Sequence, residues 1–87
     1  MKYVRFSREA HEEYLEWQKN DERIFEKINE FIKNILRDPF KGLGKPEPLK
    51  GNLKGNWSRR ISQEHRLVYS VDNENVTIHS CFGHYDD

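Results

Sequence analysis

The chain contains one cysteine, Cys81, so an internal disulfide is excluded. No apolar run approaches the roughly 20 residues that span a bilayer, which excludes a transmembrane helix. The opening stretch MKYVRFSREAHEEY has no apolar signal segment, and with a single thiol it points to a reducing, cytoplasmic setting away from membranes. CxxC, HExxH, P-loop and GxGxxG motifs are all missing, and His11, His65, His79 and His84 are scattered without ligand spacing. Neither a metal nor a cofactor is therefore expected. Apolar residues are scarce at 34%, yet aromatics reach 13%, which argues against disorder. At 87 residues the chain is expected to form one domain over its whole length, with a small core.

Net charge is zero, with 15 basic and 15 acidic residues, but it is unevenly placed. Residues 40–71 carry seven Lys or Arg against two acids, a net of +5, while residues 72–87 carry four acids and no Lys or Arg. A basic segment in a neutral chain is either a solvated loop or a patch for a polyanion.

Alternation over residues 2–6 predicts a strand. Ser7 then fits a helix N-cap, with Ala10, Tyr14, Leu15 and Trp17 at helical spacing as far as Asn20. Asp21 fits a second N-cap. Ile24, Ile28, Phe31, Ile32, Ile35 and Leu36 form the clearest helical stripe in the chain, ended by Pro39. Two helices joined so tightly predict a helical hairpin. Phe40 to Gly55 holds four of the five glycines and reads as a long loop with at most a short extended piece. Residues 57–61, 65–71 and 76–82 read as strands, with Asp72-Asn73-Glu74-Asn75 as a hairpin turn. The expected fold is α+β, in the order β-α-α-β-β-β, with the hairpin covering one face of a mainly antiparallel sheet and the other face left open.

Four features could carry chemistry. In GKPEPLK, Pro46 and Pro48 stiffen the backbone around Glu47, as a positioned base requires, and Lys45 and Lys50 flank it as possible phosphate contacts; the ordinary alternative is a rigid solvated turn. In WSRRI, Arg59 and Arg60 are both candidate RNA or phosphate contacts; alternation sends them to opposite faces, one onto the open face and the other to an edge or the helix-side rim, and the ordinary alternative is surface ion pairing with helix glutamates. In EHRLVY, Arg66 falls on a central strand, where it must pair with a carboxylate or line an anion site. In GHY, His84 offers an imidazole and Tyr85 an aromatic plane for a base. Cys81 reads as a small buried thiol.

A positioned carboxylate, an arginine and a histidine are the set needed to cleave RNA without metal. The acid takes the proton of a ribose 2′-hydroxyl, the arginine steadies charge on the phosphoryl oxygens, and the histidine protonates the leaving 5′-oxygen. DNA lacks the 2′-hydroxyl and could not react this way.

At these same residues the chain resembles the YoeB toxins (the Txe/YoeB branch of the RelE superfamily). The resemblance rests on Tyr14-Leu15-x-Trp17-Gln18, Lys27-Ile28-Asn29-Glu30, Asp38-Pro39-Phe40, the run from Gly42 through Val71, and His84-Tyr85. It implies a microbial-RNase-like α+β sheet and a ribosome-dependent endoribonuclease toxin of a type II toxin–antitoxin module, cleaving messenger RNA in the A site. It also implies a homodimer, a neutralising antitoxin of the YefM type, and operator DNA binding only as the toxin–antitoxin complex. By motif position Glu47 resembles the general base, His84 the general acid, Arg66 the transition-state arginine, Lys50 and Arg60 the phosphate contacts, and Tyr85 the substrate-positioning tyrosine. Many relatives end at that tyrosine, whereas Asp86 and Asp87 follow here. The rival expectations are a non-catalytic toxin of the same fold, such as one that poisons DNA gyrase, and an RNA- or ribosome-binding protein that uses the basic segment.

Overall fold

Ser7 and Asp21 organise the first half of the molecule in the computed structural model, which describes residues 2–84. Strand β1 (Tyr3–Phe6) runs into Ser7, whose Oγ accepts the Ala10 N–H at 3.0 Å and caps helix α1 (Arg8–Asn20). Ser7 also donates its N–H to the Ile78 carbonyl and its Oγ–H to the His79 carbonyl, so the same residue ties the helix entrance to the far end of the chain. Asp21 receives the last turn of α1 through its N–H and caps helix α2 (Glu22–Arg37) through its carboxylate. With one residue between them the helices fold back on each other, and Tyr14 meets both the Phe25 ring and the Asn29 side chain. Helix α2 stops at Asp38, which takes an extended conformation before Pro39.

Strands β2 (Glu47–Pro48), β3 (Trp57–Arg60), β4 (Arg66–Val71) and β5 (Asn75–Ser80) complete a five-stranded sheet of order β1-β5-β4-β3-β2. Only the β1–β5 pair is parallel. The fold is α+β as expected, with one strand more. The prolines around Glu47 disguise β2, and it survives because Pro48 lies on an edge, where a missing N–H costs no ladder bond. A short 3-10 turn (Gly51–Leu53) fills the rest of the loop. Between β4 and β5 the register jumps from Val68↔Ser80 to Tyr69↔Ile78, leaving His79 as a bulge residue.

Helix α2 supplies most of the helical side of the core. Its Ile28, Phe31, Ile32 and Ile35 are buried against Ile61, Leu67, Tyr69, Val76, Ile78 and Cys81, whereas α1 fully buries only Ala10. Leu15 and Leu36, expected on the apolar stripes, are instead 46% and 39% exposed.

Arg59 corrects an expectation. Alternation along β3 is as predicted, but Arg59 neither contacts phosphate nor pairs with helix glutamates. It is 0% exposed, on the helix side of the sheet. All five of its N–H donors are used. Nε donates to Tyr69 Oη at 3.2 Å, Nη1 to the Leu43 carbonyl at 2.9 Å and to Asn34 Oδ1, and Nη2 to the carbonyls of Asp38 at 2.9 Å and Lys41 at 3.1 Å. Tyr69 Oη–H donates to the Pro39 carbonyl at 2.6 Å. The carbonyls of Asp38, Lys41 and Leu43 thus satisfy the buried guanidinium, which in turn ties residues 38–43 to the sheet.

Candidate active-site groove

Cross-strand pairing places the candidate residues. Glu47 pairs with Ser58, and Ser58 with Val68, so these three share a row on the sheet face opposite the helices. Two residues along that face, Arg60 pairs directly with Arg66. At about 3.4 Å per residue the two rows lie roughly 7 Å apart.

Two adjoining cavities follow this geometry. One, of about 220 Å3, is lined by Lys45, Glu47, Ser58, Arg60 and Arg66. The other, of about 880 Å3, includes Lys45, Arg60, Arg66 and His84 in its lining. Lys45, Arg60 and Arg66 border both, so the carboxylate of Glu47 and the imidazole of His84 sit at the two ends of one groove with three cations between them. Like charges placed directly opposite on a sheet face repel, and an anion between Arg60 and Arg66 would relieve that repulsion.

Backbone conformation shapes the groove further. Lys45 has φ +54°, in the left-handed region that residues with a Cβ rarely enter, just before Pro46. Gly44, with φ +78°, accepts the Arg60 N–H at 2.6 Å and so ties this loop to β3.

Arg66 is held by its own turn. Its Nη1 donates to the Ser62 carbonyl at 2.7 Å and, more weakly, to those of Gln63 and His65. His84 is exposed, and its Nε2 lies 3.0 Å from the Gln63 carbonyl. A carbonyl only accepts, so Nε2 carries the proton in this arrangement.

Of the other expected site residues, Lys50 opens the 3-10 turn, is exposed and borders neither cavity. Tyr85 lies outside the described residues. Lys27 was not anticipated. It lines the larger cavity from α2, with Nζ 5.9 Å from the centre of the Phe31 ring. Nothing in its helical spacing distinguishes it from other solvated lysines.

Cys81 is buried, and burial followed by the nearby Glu13 carboxylate pushes its thiol up to about 12, so it is no nucleophile at neutral pH. Among the described residues no group of three His, Cys, Asp or Glu is placed to hold a metal ion. No described helix is long and apolar enough to cross a membrane.

This fold is shared with small bacterial toxins. The chain is similar to the structure of a YoeB dimer from Staphylococcus aureus (49% identity, 97% of this chain and 98% of that one, TM-score 0.91). It is similar also to a YoeB–YefM complex from Staphylococcus aureus (48% identity, 98% and 99% coverage, TM-score 0.89). Toxin YoeB of Escherichia coli K12 is 56% identical over 80 residues, 92% of this chain and 95% of that protein. Residues 6–85 match the model for the YoeB-like toxin of bacterial type II toxin-antitoxin system, and the chain belongs to that family.

Proposed function

We propose that this toxin is an endoribonuclease that cleaves messenger RNA in the ribosomal A site by metal-independent acid–base catalysis. The observation that carries the reading is the Arg60–Arg66 pair, set on one sheet face between Glu47 and His84. Glu47 takes the proton from the 2′-hydroxyl of the nucleotide before the cut. The alkoxide attacks the adjacent phosphorus in line. Arg66, with Arg60 and Lys45 beside it, stabilises charge growing on the phosphoryl oxygens. His84 gives the Nε2 proton to the departing 5′-oxygen. Lys50 meets a neighbouring phosphate, and Tyr85 is assigned substrate positioning on the resemblance alone. Arg59 has no part in the chemistry.

A YefM-like antitoxin is the proposed neutralising partner, since a YoeB from Staphylococcus aureus is in complex with YefM. The pair together represses its operon, and the free toxin works in the cytoplasm as a homodimer. The exposed Leu15, Leu36, Phe40 and Leu43 offer apolar surface for these contacts.

The test is cleavage of ribosome-bound message by purified toxin. Products should end in 2′,3′-cyclic phosphate or 3′-phosphate and form equally well in EDTA. Glu47→Gln, Arg66→Ala and His84→Gln should each slow cleavage by about 10²–10⁴-fold without unfolding the protein. Cleavage that persists unchanged in all three variants would remove the assignment. Arrested growth with intact message and normal translation would point instead to a non-catalytic target.

A further inference from the structure

We infer that His65 is a positioning residue for the general acid, acting through the backbone of Gly83; the inference rests on the assignment of His84 above. The imidazole of His65 does not face the groove. Its Nδ1 accepts the Gly83 N–H at 2.8 Å. The Gly83 carbonyl accepts the N–H of Arg66 at 3.0 Å. Both polar backbone groups of the residue before His84 are thus captured by two consecutive residues at the start of β4, one of them Arg66.

The arrangement is built in from several sides. Gly83 has φ +76°, with no atom within 4 Å of where a Cβ would stand, so glycine is needed here for backbone conformation and not for space. The His65 ring meets the edge of Trp17 at 4.8 Å and stacks at a tilt on Phe82 at 4.7 Å. Trp17 in turn donates its indole N–H to the Cys81 carbonyl at 2.8 Å, and the Glu13 carboxylate accepts the Cys81 N–H at 2.8 Å. The chain leaves the sheet after Ser80 because α1 takes over its hydrogen bonds at Cys81, and His65 receives it at Gly83. The His65 carbonyl also accepts from Arg66 Nη1 at 3.2 Å, so one residue steadies both the guanidinium and the route to the imidazole. A backbone N–H donor makes Nδ1 an acceptor, which places the ring's proton on Nε2.

His65→Phe keeps an aromatic ring between Trp17 and Phe82 and removes the acceptor. His65→Asn loses the ring, but its Oδ1 stands close to where Nδ1 was. In single-turnover cleavage of ribosome-bound message, His65→Phe should lower the rate at saturating toxin by about 10²-fold, the usual consequence of a misplaced catalytic group, with half-saturation unchanged. His65→Asn should recover most of that rate. A wild-type rate for His65→Phe, or equal losses in both variants, would overturn the inference. Hydrogen exchange of the Gly83 amide gives a readout that does not depend on cleavage. It should be slow in the wild-type toxin and fast in His65→Phe, and fast exchange in the wild type overturns the inference even if His65→Phe does not fold. Undiminished cleavage by His84→Gln alongside a protected Gly83 amide would mean that the acid had been misassigned while the Gly83 clamp stood.

Discussion

Arg66 and His84 converge on one atom, the carbonyl oxygen of Gln63, which takes a hydrogen bond from Arg66 Nη1 at 3.3 Å and faces His84 Nε2 at 3.0 Å. The turn between β3 and β4 thereby gathers the guanidinium and the imidazole at the edge of the groove before any phosphate arrives. A phosphate with two acceptor oxygens would replace that carbonyl for both groups.

If Arg66 and His84 act on one phosphate, as proposed, they should not contribute independently. Arg66→Ala combined with His84→Gln is expected to slow cleavage far less than the product of the single effects, because removing either already disables the step. Single-turnover rates of the two single variants and the double variant measure this.

The neighbours Arg59 and Arg60 should respond in opposite ways. Arg59→Met removes five hydrogen bonds from a buried charged donor, each worth about 1.5–3 kcal/mol, so the loss of stability should exceed roughly 3 kcal/mol. Arg60→Ala, at an exposed position, should change stability by less than about 0.5 kcal/mol. Its effect should appear in RNA binding, as lower affinity and a log–log salt slope shallower by about one. Urea denaturation and salt-dependent binding separate the two.

Gly44→Ala should destabilise by about 1–3 kcal/mol. A Cβ there would stand 2.8 Å from two Phe31 ring carbons and 3.0 Å from Arg59 Cβ, at a φ of +78° that alanine resists. Because Gly44 also accepts the Arg60 N–H, cleavage should fall along with the melting temperature.

Two groups set acid limits on stability. The Asp72 carboxylate accepts the N–H groups of Glu74 and Asn75, which holds it below the ordinary value of 3.8. Its stabilising contribution is present above pH 3.8 and is lost as pH falls through the lower folded-state value. Burial, and then the charge of Arg5, pushes His79 below 6.5. The unfolded chain therefore takes up the proton more readily as pH falls below 6.5, and stability declines there. His79→Gln should flatten the slope just below pH 6.5, and Asp72→Ala the slope below pH 3.8, in denaturation midpoints measured against pH.

Cys81 should resist alkylation in the folded toxin at pH 8, since its thiol is fully buried and pushed up to about 12. Labelling should proceed at the rate at which the structure opens. Rapid labelling under native conditions would contradict the buried placement.

Much of the fold was legible because its signals are local. Ser7 and Asp21 each cap a helix through the N–H three residues ahead, Pro39 forces its neighbour Asp38 out of α2, and the α2 stripe repeats within its own turns. The strand ends were less legible. The last predicted strand runs to Phe82 but β5 ends at Ser80, because the Cys81 N–H turns to Glu13, 68 residues away. Glu47, Arg60, Arg66 and His84 could be picked out as chemistry-bearing side chains. Their common groove depends on the β2–β3–β4 register and on the Gln63 turn, which no local pattern reports.

Spacing, capping and the placement of prolines and charges determined by themselves which segments form helices and strands, because those preferences act within a turn or two of the chain. Tertiary structure alone decided which of two adjacent arginines is buried and which faces the groove. Burial of a guanidinium depends on whether acceptors from elsewhere can satisfy all its donors. For Arg59 they come from residues 38–43 together with Asn34 and Tyr69, and Arg60 is left to the open face.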